Sequence, residues 1–359
     1  LTAPTGLGEG ARRMLAEMRA AGLPAAGADL TGPLRQGPAG AATATSAGTV
    51  AGGSAGPALA IAPGPGTVIV HVNGPMLPWG LLALGRRALR GKRIIAYWAW
   101  ELPALPADWQ RGYAACHRVW APSRFCADAF AAAAPPGFPP PRVVPYPTPV
   151  PDPSALTRAD FGLPPDAFVA LSLFDATSSV ARKNPLGAIE AHRLAFGDDP
   201  RRILLLKTHG TALAGPAWAA VAAAAAARPN VRVMDVSLPR RDLWALTACC
   251  DALVSLHRAE GYGLAIAEAM ALGRPVVATG WSGSQDVMRG PGCHAVPVRL
   301  VPARDPQQIY DFPGSAVWAE PDLAAAAAVL RRLADEPALR FPAPLPPPRP
   351  DYRAALAAG

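Results

Sequence analysis

No two of the five cysteines (Cys116, Cys126, Cys249, Cys250, Cys293) stand in a CxxC pair, and their number is odd. That pattern argues against a disulfide framework and against a zinc site, and it suits a reducing cytoplasm. Long apolar runs are also missing. The stretch from Ala219 to Ala227 is too short and too alanine-rich to span a bilayer, and no signal peptide is recognisable, so any membrane contact is expected to be peripheral. Charge is sparse at 17% of residues, and acids are outnumbered: 26 Asp and Glu against 34 Lys and Arg give a net charge of +8. A basic surplus can serve nucleic acid, anionic lipid or a phosphorylated substrate. The arginines are scattered rather than clustered with aromatics (Arg12, Arg13, Arg86, Arg87, Arg90, Arg93, Arg201, Arg202, Arg240, Arg241), which counts against nucleic acid and reads mostly as a solvated face. If one basic patch matters, anionic lipid headgroups or a lipid-phosphate-linked acceptor are the expected partners.

What the chain does have is 359 residues, 51% of them hydrophobic, enough for two cores. Its 43 prolines and 34 glycines gather in connecting stretches. The first segment, Thr5-Gly6-Leu7-Gly8-Glu9-Gly10, reads as a glycine turn leading into a helix from Ala11 to Ala21. A strand is expected before such a turn, so the start of this domain is expected to be missing. Residues 37–66 carry almost no charge and read as a flexible loop or insertion. Strands are then expected at 67–72, 93–97, 118–121 and 142–144, with helices near 81–90, 108–116 and 123–131. A proline-rich stretch over 135–153 supplies the interdomain linker. A second series follows, with strands at 168–174, 202–207, 231–236, 252–256 and 275–278, and helices near 185–196, 216–227, 240–248 and 263–272. This alternation predicts an α/β chain of two Rossmann-like, doubly wound parallel-sheet domains facing a cleft, with ligands outside the carboxyl ends of the strands. The boundaries are 1–147, 148–340 and a proline-rich tail at 341–359.

The informative stretch is His257-Arg-Ala-Glu260-Gly-Tyr-Gly263-Leu-Ala-Ile-Ala-Glu268-Ala-Met-Ala-Leu-Gly273-Arg-Pro275. A strand ends before it, Gly261 and Gly263 turn the chain into a helix, and the free N–H groups at that helix start suit a diphosphate. Glu268 lies inside the helix among apolar residues, where an ionised group needs a partner. Eight residues of helix rise roughly 12 Å, which separates the two acids enough to reach opposite ends of one elongated ligand.

Glu260 to Glu268 resembles the Glu-x-seven-Glu motif of retaining GT-B glycosyltransferases, the family-4 type of the group-1 glycosyl transferases, and "EGYGLAIAEAMALGRPVVAT" is similar to that family over some twenty residues. The resemblance implies a hexosyltransferase taking mannose- or glucose-like sugar from a GDP- or UDP-linked donor to a glycan or lipid-linked acceptor. Envelope polysaccharide synthesis at the inner face of the plasma membrane is the setting it implies. Glu260 would face the donor sugar, Glu268 the ribose hydroxyls and the amides of Gly263 and Leu264 the diphosphate, with Gly261 and Tyr262 also on the donor side. Arg182 and Lys183, in Ala181-Arg182-Lys183-Asn184-Pro185, resemble the family's basic pair, and two fixed cations stabilise a departing diphosphate without a metal. No Asp-x-Asp triplet occurs, so neither a metal nor a cofactor is expected. Ser237 in Val236-Ser237-Leu238 fits the base-contacting turn. The run from Gly280 to Asp286 is expected to line the donor site, with Asp286 where relatives carry glutamate. In the first half, Gly8 matches a glycine loop facing the donor phosphates, and Asn73 stands where many relatives have histidine. Trp98, Trp100 and Glu101 form an aromatic and acidic cluster suited to an acceptor sugar, or equally a buried wedge. His71 is equally readable as a core histidine. The competing readings are a non-catalytic nucleotide-sugar-binding protein and another GT-B enzyme such as a sugar-nucleotide epimerase.

Overall fold

The computed structural model describes residues 6–30, 61–310, 316–346 and 349–357. They divide into two compact units: residues up to Thr148 together with 349–357 form the first, and Pro149 to residue 346 the second. The expected boundary lies within one residue of this division. The proline-rich tail does not stand alone. Its first part stays with the second unit, where Leu345 N–H donates to Met270 O at 3.0 Å, and its last part returns to the first. Of the expected flexible stretch, residues 37–60 lie outside the described residues.

The first unit starts with α1 (Gly6–Ala20) and continues through β1 (Gly66–Val70), α2 (Leu77–Leu84), α3 (Arg86–Leu89), β2 (Lys92–Tyr97), α4 (Gln110–Tyr113), β3 (Arg118–Ala121), α5 (Arg124–Ala133) and β4 (Arg142–Val143). Its four strands lie in chain order and all run parallel. The glycine turn expected at 5–10 is helix from Gly6 onward; Thr5 lies outside the described residues. Glu9 holds the first turns by pairing with Arg12 at 2.8 Å and Arg13 at 2.7 Å, the i+3 and i+4 positions. Gly10 is needed there, because a Cβ would sit 2.0 Å from the Tyr146 ring. The single helix expected over 81–90 is broken at Gly85, whose φ of 81° no helix accommodates. The helix expected over 108–116 is a 3₁₀ turn at Ala107–Trp109 followed by α4.

The second unit contains β5 (Phe168–Leu173), α6 (Val180–Lys183), α7 (Pro185–Phe196), β6 (Arg202–Thr208), α8 (Pro216–Ala226), β7 (Val231–Asp235), α9 (Arg240–Cys249), β8 (Ala252–Ser255), α10 (Leu264–Ala271), β9 (Val276–Thr279) and β10 (Cys293–Val296). The hairpin β11 (Val298–Pro302) and β12 (Val317–Pro321) and the helix α11 (Leu323–Asp335) follow. The chain ends with α12 (Tyr352–Ala357), back in the first unit. The large sheet is parallel throughout in the order β10-β9-β8-β5-β6-β7. Its central strands β5, β8 and β9 and most of β6 are buried, which is why they read as continuous apolar runs without alternation. α7 and α11 pack together over that sheet. Strand order reverses between β5 and β8, which pair through Ala170 with Ala252 and Leu171 with Leu253. At such a reversal the two adjoining crossovers leave in opposite directions and open a crevice at the carboxyl ends of the strands.

The reversal is fastened from the other end by a buried carboxylate. Asp251, just before β8, accepts the Val169 N–H at 2.7 Å and an Arg158 guanidinium N–H at 2.8 Å, and its own N–H donates to Val169 O at 2.8 Å. Asp251→Ala would leave the Val169 N–H and the Arg158 charge without their acceptor, and we expect a loss of about 3 kcal/mol of unfolding free energy. Urea unfolding checks this; a loss below about 1 kcal/mol would mean that the strand pair stands without the carboxylate.

Candidate active site

The carboxyl ends of β5 and β8 carry the two loops in which the sequence reading concentrates its chemistry. After β5 the chain runs through Asp175 to Ser179, whose hydroxyl caps α6 by accepting the Arg182 N–H at 3.0 Å. α6 presents Arg182 and Lys183, and Asn184 in the left-handed conformation then starts α7. After β8 the chain runs through His257, Arg258 and Ala259 to Glu260. Main-chain bonds stitch the loops together: Arg258 N–H donates to Arg182 O at 2.7 Å, and Asn184 Nδ2 donates to Leu256 O at 2.9 Å.

Glu260 sits between the two cations. Its Oε2 lies 2.5 Å from Lys183 Nζ and 3.4 Å from an Arg182 guanidinium nitrogen. Burial alone would raise its carboxyl pKa, but the charges of Lys183 and Arg182 outweigh burial and bring it down to about 2. The cations differ in exposure. Arg182 is buried, donating also to Ala259 O at 2.9 Å and Ser178 Oγ at 3.2 Å, with the Tyr310 ring 5.5 Å from its guanidinium carbon. Lys183 retains 19% of its side-chain surface against 3% for Arg182, so it is the more accessible of the two cations. The loop 280–286 supports the acid: Glu260 N–H donates to Ser282 Oγ at 2.9 Å, and Gly283 N–H donates to Glu260 O at 2.8 Å. His257, behind this loop, is clasped at 3.0 Å on both ring nitrogens, Nδ1 by Ser255 Oγ and Nε2 by Ser284 Oγ.

Gly263 adopts φ 94° and begins α10; a Cβ there would press on Ile266 and Ser284 at 3.3 Å. The first intrahelical bond into this residue comes from Ala267 N–H to Gly263 O, so the amides of Leu264, Ala265 and Ile266 face outward at the positive end of the helix. Gly261 and Tyr262 are buried.

Glu268, at 4% exposure inside α10, has its cation: Arg240, at the start of α9, donates to its two oxygens at 3.0 and 3.3 Å. Arg240 leads directly from the turn at Val236-Ser237-Leu238. Ser237 is exposed, and Val236 O accepts from the buried Lys207 Nζ at 2.6 Å. The structure thus pairs Glu268 with Arg240, three residues beyond Ser237 in the chain. Arg240 and Lys207 escaped the sequence reading. A signal for Arg240 existed: a cation at a helix N-terminus is unfavourable with the dipole unless an acid holds it, and Glu268 needed such a cation.

The residues expected in the first unit fare differently. Gly8 is buried within α1 instead of lying in a loop. Asn73, after β1, accepts the Ala99 N–H on its Oδ1 at 3.0 Å and so pins the segment containing Trp98, Trp100 and Glu101. Trp98 is not an acceptor platform. It is fully buried, edge-to-face with Trp109, Tyr113 and Phe130 at ring centroid distances of 5.4, 4.9 and 5.6 Å. Trp100 is also largely buried, its Nε1 donating to Ala104 O at 2.8 Å. The aromatic cluster is therefore a wedge of the core, with Glu101 partly exposed at its margin. His71 stacks on Tyr97 at 4.6 Å and is half-buried, and burial pushes its imidazole pKa down to about 3.

Residues 203–312 match the family model described as "Glycosyl transferases group 1". Among curated proteins none matches the sequence. Among solved structures, a variant of S. aureus TarM in complex with Fondaparinux, alpha-GlcNAc-glycerol and UDP aligns with a TM-score of 0.55 at 11% identity, covering 76% of this chain and 49% of that one. Anabaena Alr3699/HepE in complex with UDP and glucose aligns with a TM-score of 0.55 at 16% identity, covering 76% and 70%. An alpha,alpha-trehalose-phosphate synthase (UDP-forming) from Burkholderia vietnamiensis gives 0.52 at 13% identity, covering 76% and 64%. The chain spans about half the length of the TarM structures it matches. Its fold is GT-B, and its second unit carries the segment similar to the group 1 glycosyl transferases.

The clasped His257 yields a pH prediction. Burial, helped by the Lys183 and Arg182 charges and opposed by Glu260, lowers its pKa from 6.5 to about 4. A depressed histidine contributes stability that is complete above pH 6.5 and lost as pH falls through 4. His257→Gln should flatten the stability profile over that interval by about 3 kcal/mol, read from urea unfolding at successive pH values. An unaltered slope would show that the ring is not held neutral.

Proposed function

We propose that this chain is a retaining glycosyltransferase that moves a mannose- or glucose-like hexose from a GDP- or UDP-linked donor to a glycan or lipid-linked acceptor in envelope polysaccharide synthesis. The observation that carries the reading is the Lys183–Glu260–Arg182 cluster beside the start of α10, at the reversal of a parallel sheet. A departing nucleoside diphosphate develops negative charge, and fixed donors aimed at that charge lower the barrier without reorganising. Lys183 and the amides of Leu264, Ala265 and Ile266 are those donors in this reading. Arg182 is too buried to reach a phosphate freely; it acts by fixing Glu260 and Ala259 O. No metal or other cofactor is required.

Glu260, ionised throughout the physiological range, accepts hydrogen bonds from hydroxyls of the donor sugar. A carboxylate whose pKa is about 2 and which is compensated by two cations is a weak base and a weak nucleophile. That favours attack by the acceptor on the same face as the leaving diphosphate, with the phosphate taking the acceptor proton, over a covalent sugar on Glu260. Glu268, steadied by Arg240, takes the ribose hydroxyls, and the Ser237 turn meets the base.

Time-resolved release of nucleoside diphosphate, with a panel of sugar nucleotides and glycan acceptors, tests the reading. Lys183→Gln should lower kcat about 100-fold with the fold intact, because the charge it meets grows only as the bond breaks. Glu268→Ala should abolish the thermal stabilisation given by the preferred donor. Turnover of Lys183→Gln at the wild-type rate, or donor stabilisation that survives Glu268→Ala unchanged, would sink the assignment.

A further inference from the structure

The first unit has a second polar concavity, at the end of its sheet opposite to Asn73. Arg93 is the second residue of β2, Arg118 the first of β3 and Arg142 the first of β4, so all three lie at the amino ends of adjacent parallel strands. The register puts them on one face. Ile95 pairs with Arg118 and Trp120 with Arg142, and residues paired across parallel strands, like residues two apart along one strand, share a face. Arg93, Arg118, Trp120 and Arg142 accordingly line one cavity of about 260 Å³, with Pro140, Pro141 and Ala355 of α12 completing the wall.

Like charges gathered in one concavity repel unless an anion joins them. Arg93 is engaged at its rim, donating to Leu356 O at the end of α12 at 2.7 Å. Arg118 donates to the carbonyl of its neighbour His117, at 3.0 Å, and among the described residues neither Arg118 nor Arg142 makes an ion pair. Arg118 and Arg142 are each half-buried as residues. The volume falls below the roughly 300–1,000 Å³ of pockets for drug-sized ligands. It suits a compact anionic head whose remainder projects out.

We propose that this cavity is a phosphate-binding site, separate from the sugar-transfer site, which takes a phosphomonoester group through the forked donors of Arg118 and Arg142 with Arg93 at its edge. The phosphate belongs either to a soluble metabolite or to a lipid headgroup, and the chemistry at the arginines is the same.

Calorimetric titration with inorganic phosphate, in a Lys183→Gln background that removes the cation of the transfer site, should show one saturable site. Arg118→Gln with Arg142→Gln should weaken it about a hundredfold, since two charge-assisted contacts go. Thermal unfolding of that variant should stay unchanged or rise, because repulsion is relieved. The Lys pair at the same positions, a control that keeps the charge, should lose less affinity. Co-sedimentation with phosphatidic acid vesicles separates the sources. Sedimentation abolished by the double Gln variant, with no heat from free phosphate, supports the site with a lipid headgroup as its ligand. Heat from phosphate without sedimentation supports it with a soluble one. Binding of neither, or binding that the double Gln substitution leaves intact, overturns the site.

Discussion

The Glu260 carboxylate, held between Lys183 and Arg182, is the contact from which the rest of the second unit's polar architecture is organised. The loops after β5 and β8 leave the sheet on either side of its reversal, and nothing in strand pairing alone fixes where their tips go. The ion triplet fixes them, with help from the bonds of Arg258 N–H to Arg182 O and Asn184 Nδ2 to Leu256 O. A buried ion pair is poor evidence for net stability, because desolvating the partners offsets much of their attraction. Its value here is positional. Removing Glu260 would leave two neighbouring cations without their shared acid, so the carboxylate holds both side chains to one geometry before any ligand arrives.

The second carboxylate is built on another plan. Glu268 is as buried as Arg182, but its cation Arg240 keeps 36% of its side-chain surface and comes from a different crossover. One end of this pair is fixed by a helix and the other by a long, partly solvated side chain. Arg240 is half-exposed, whereas the buried Arg182 cannot leave Glu260 without breaking three other contacts. The site therefore combines a rigid charged centre with an adaptable one, and the Val236-Ser237-Leu238 turn lies next to the adaptable one, tied to Lys207.

Most of the strand pattern was legible because a parallel sheet covered on both faces writes itself as short apolar runs, and β2, β3, β5, β6 and β8 fall where those runs lie. The Glu260 to Glu268 segment was legible for a different reason: the glycines at 261 and 263 and an acid inside an apolar helix are both local anomalies. What stayed hidden depends on distant neighbours. Gly8 looked like a loop residue because glycine is a poor helix former, but Tyr146, far away in sequence, leaves room at Gly10 for hydrogen alone, and packing overrode propensity. Trp98 was ambiguous because an aromatic at a strand end can face sugar or core, and only the arrival of Trp109, Tyr113 and Phe130 decides it. The elements β10, β11, β12 and α11 went unannounced, although Asp322, which accepts the Ala324 and Ala325 N–H groups, is a start signal for α11.

The same dependence on distant neighbours explains why net charge said so little. Several arginines that look scattered along the chain are spent on internal geometry. Arg258 forks onto Glu320 at 2.7 and 3.1 Å, Arg158 joins the Asp251 carboxylate to four carbonyls around it, and Arg340 reaches back to Leu333 O. Such residues contribute to the formal charge but not to a field that a partner would feel. What distinguishes Arg118 and Arg142 is the absence of any such acid among the described residues, together with a register that points both the same way. A basic balance becomes a functional statement only after the internally paired cations are subtracted, and strand parity, invisible in composition, decides which of the remainder can act together.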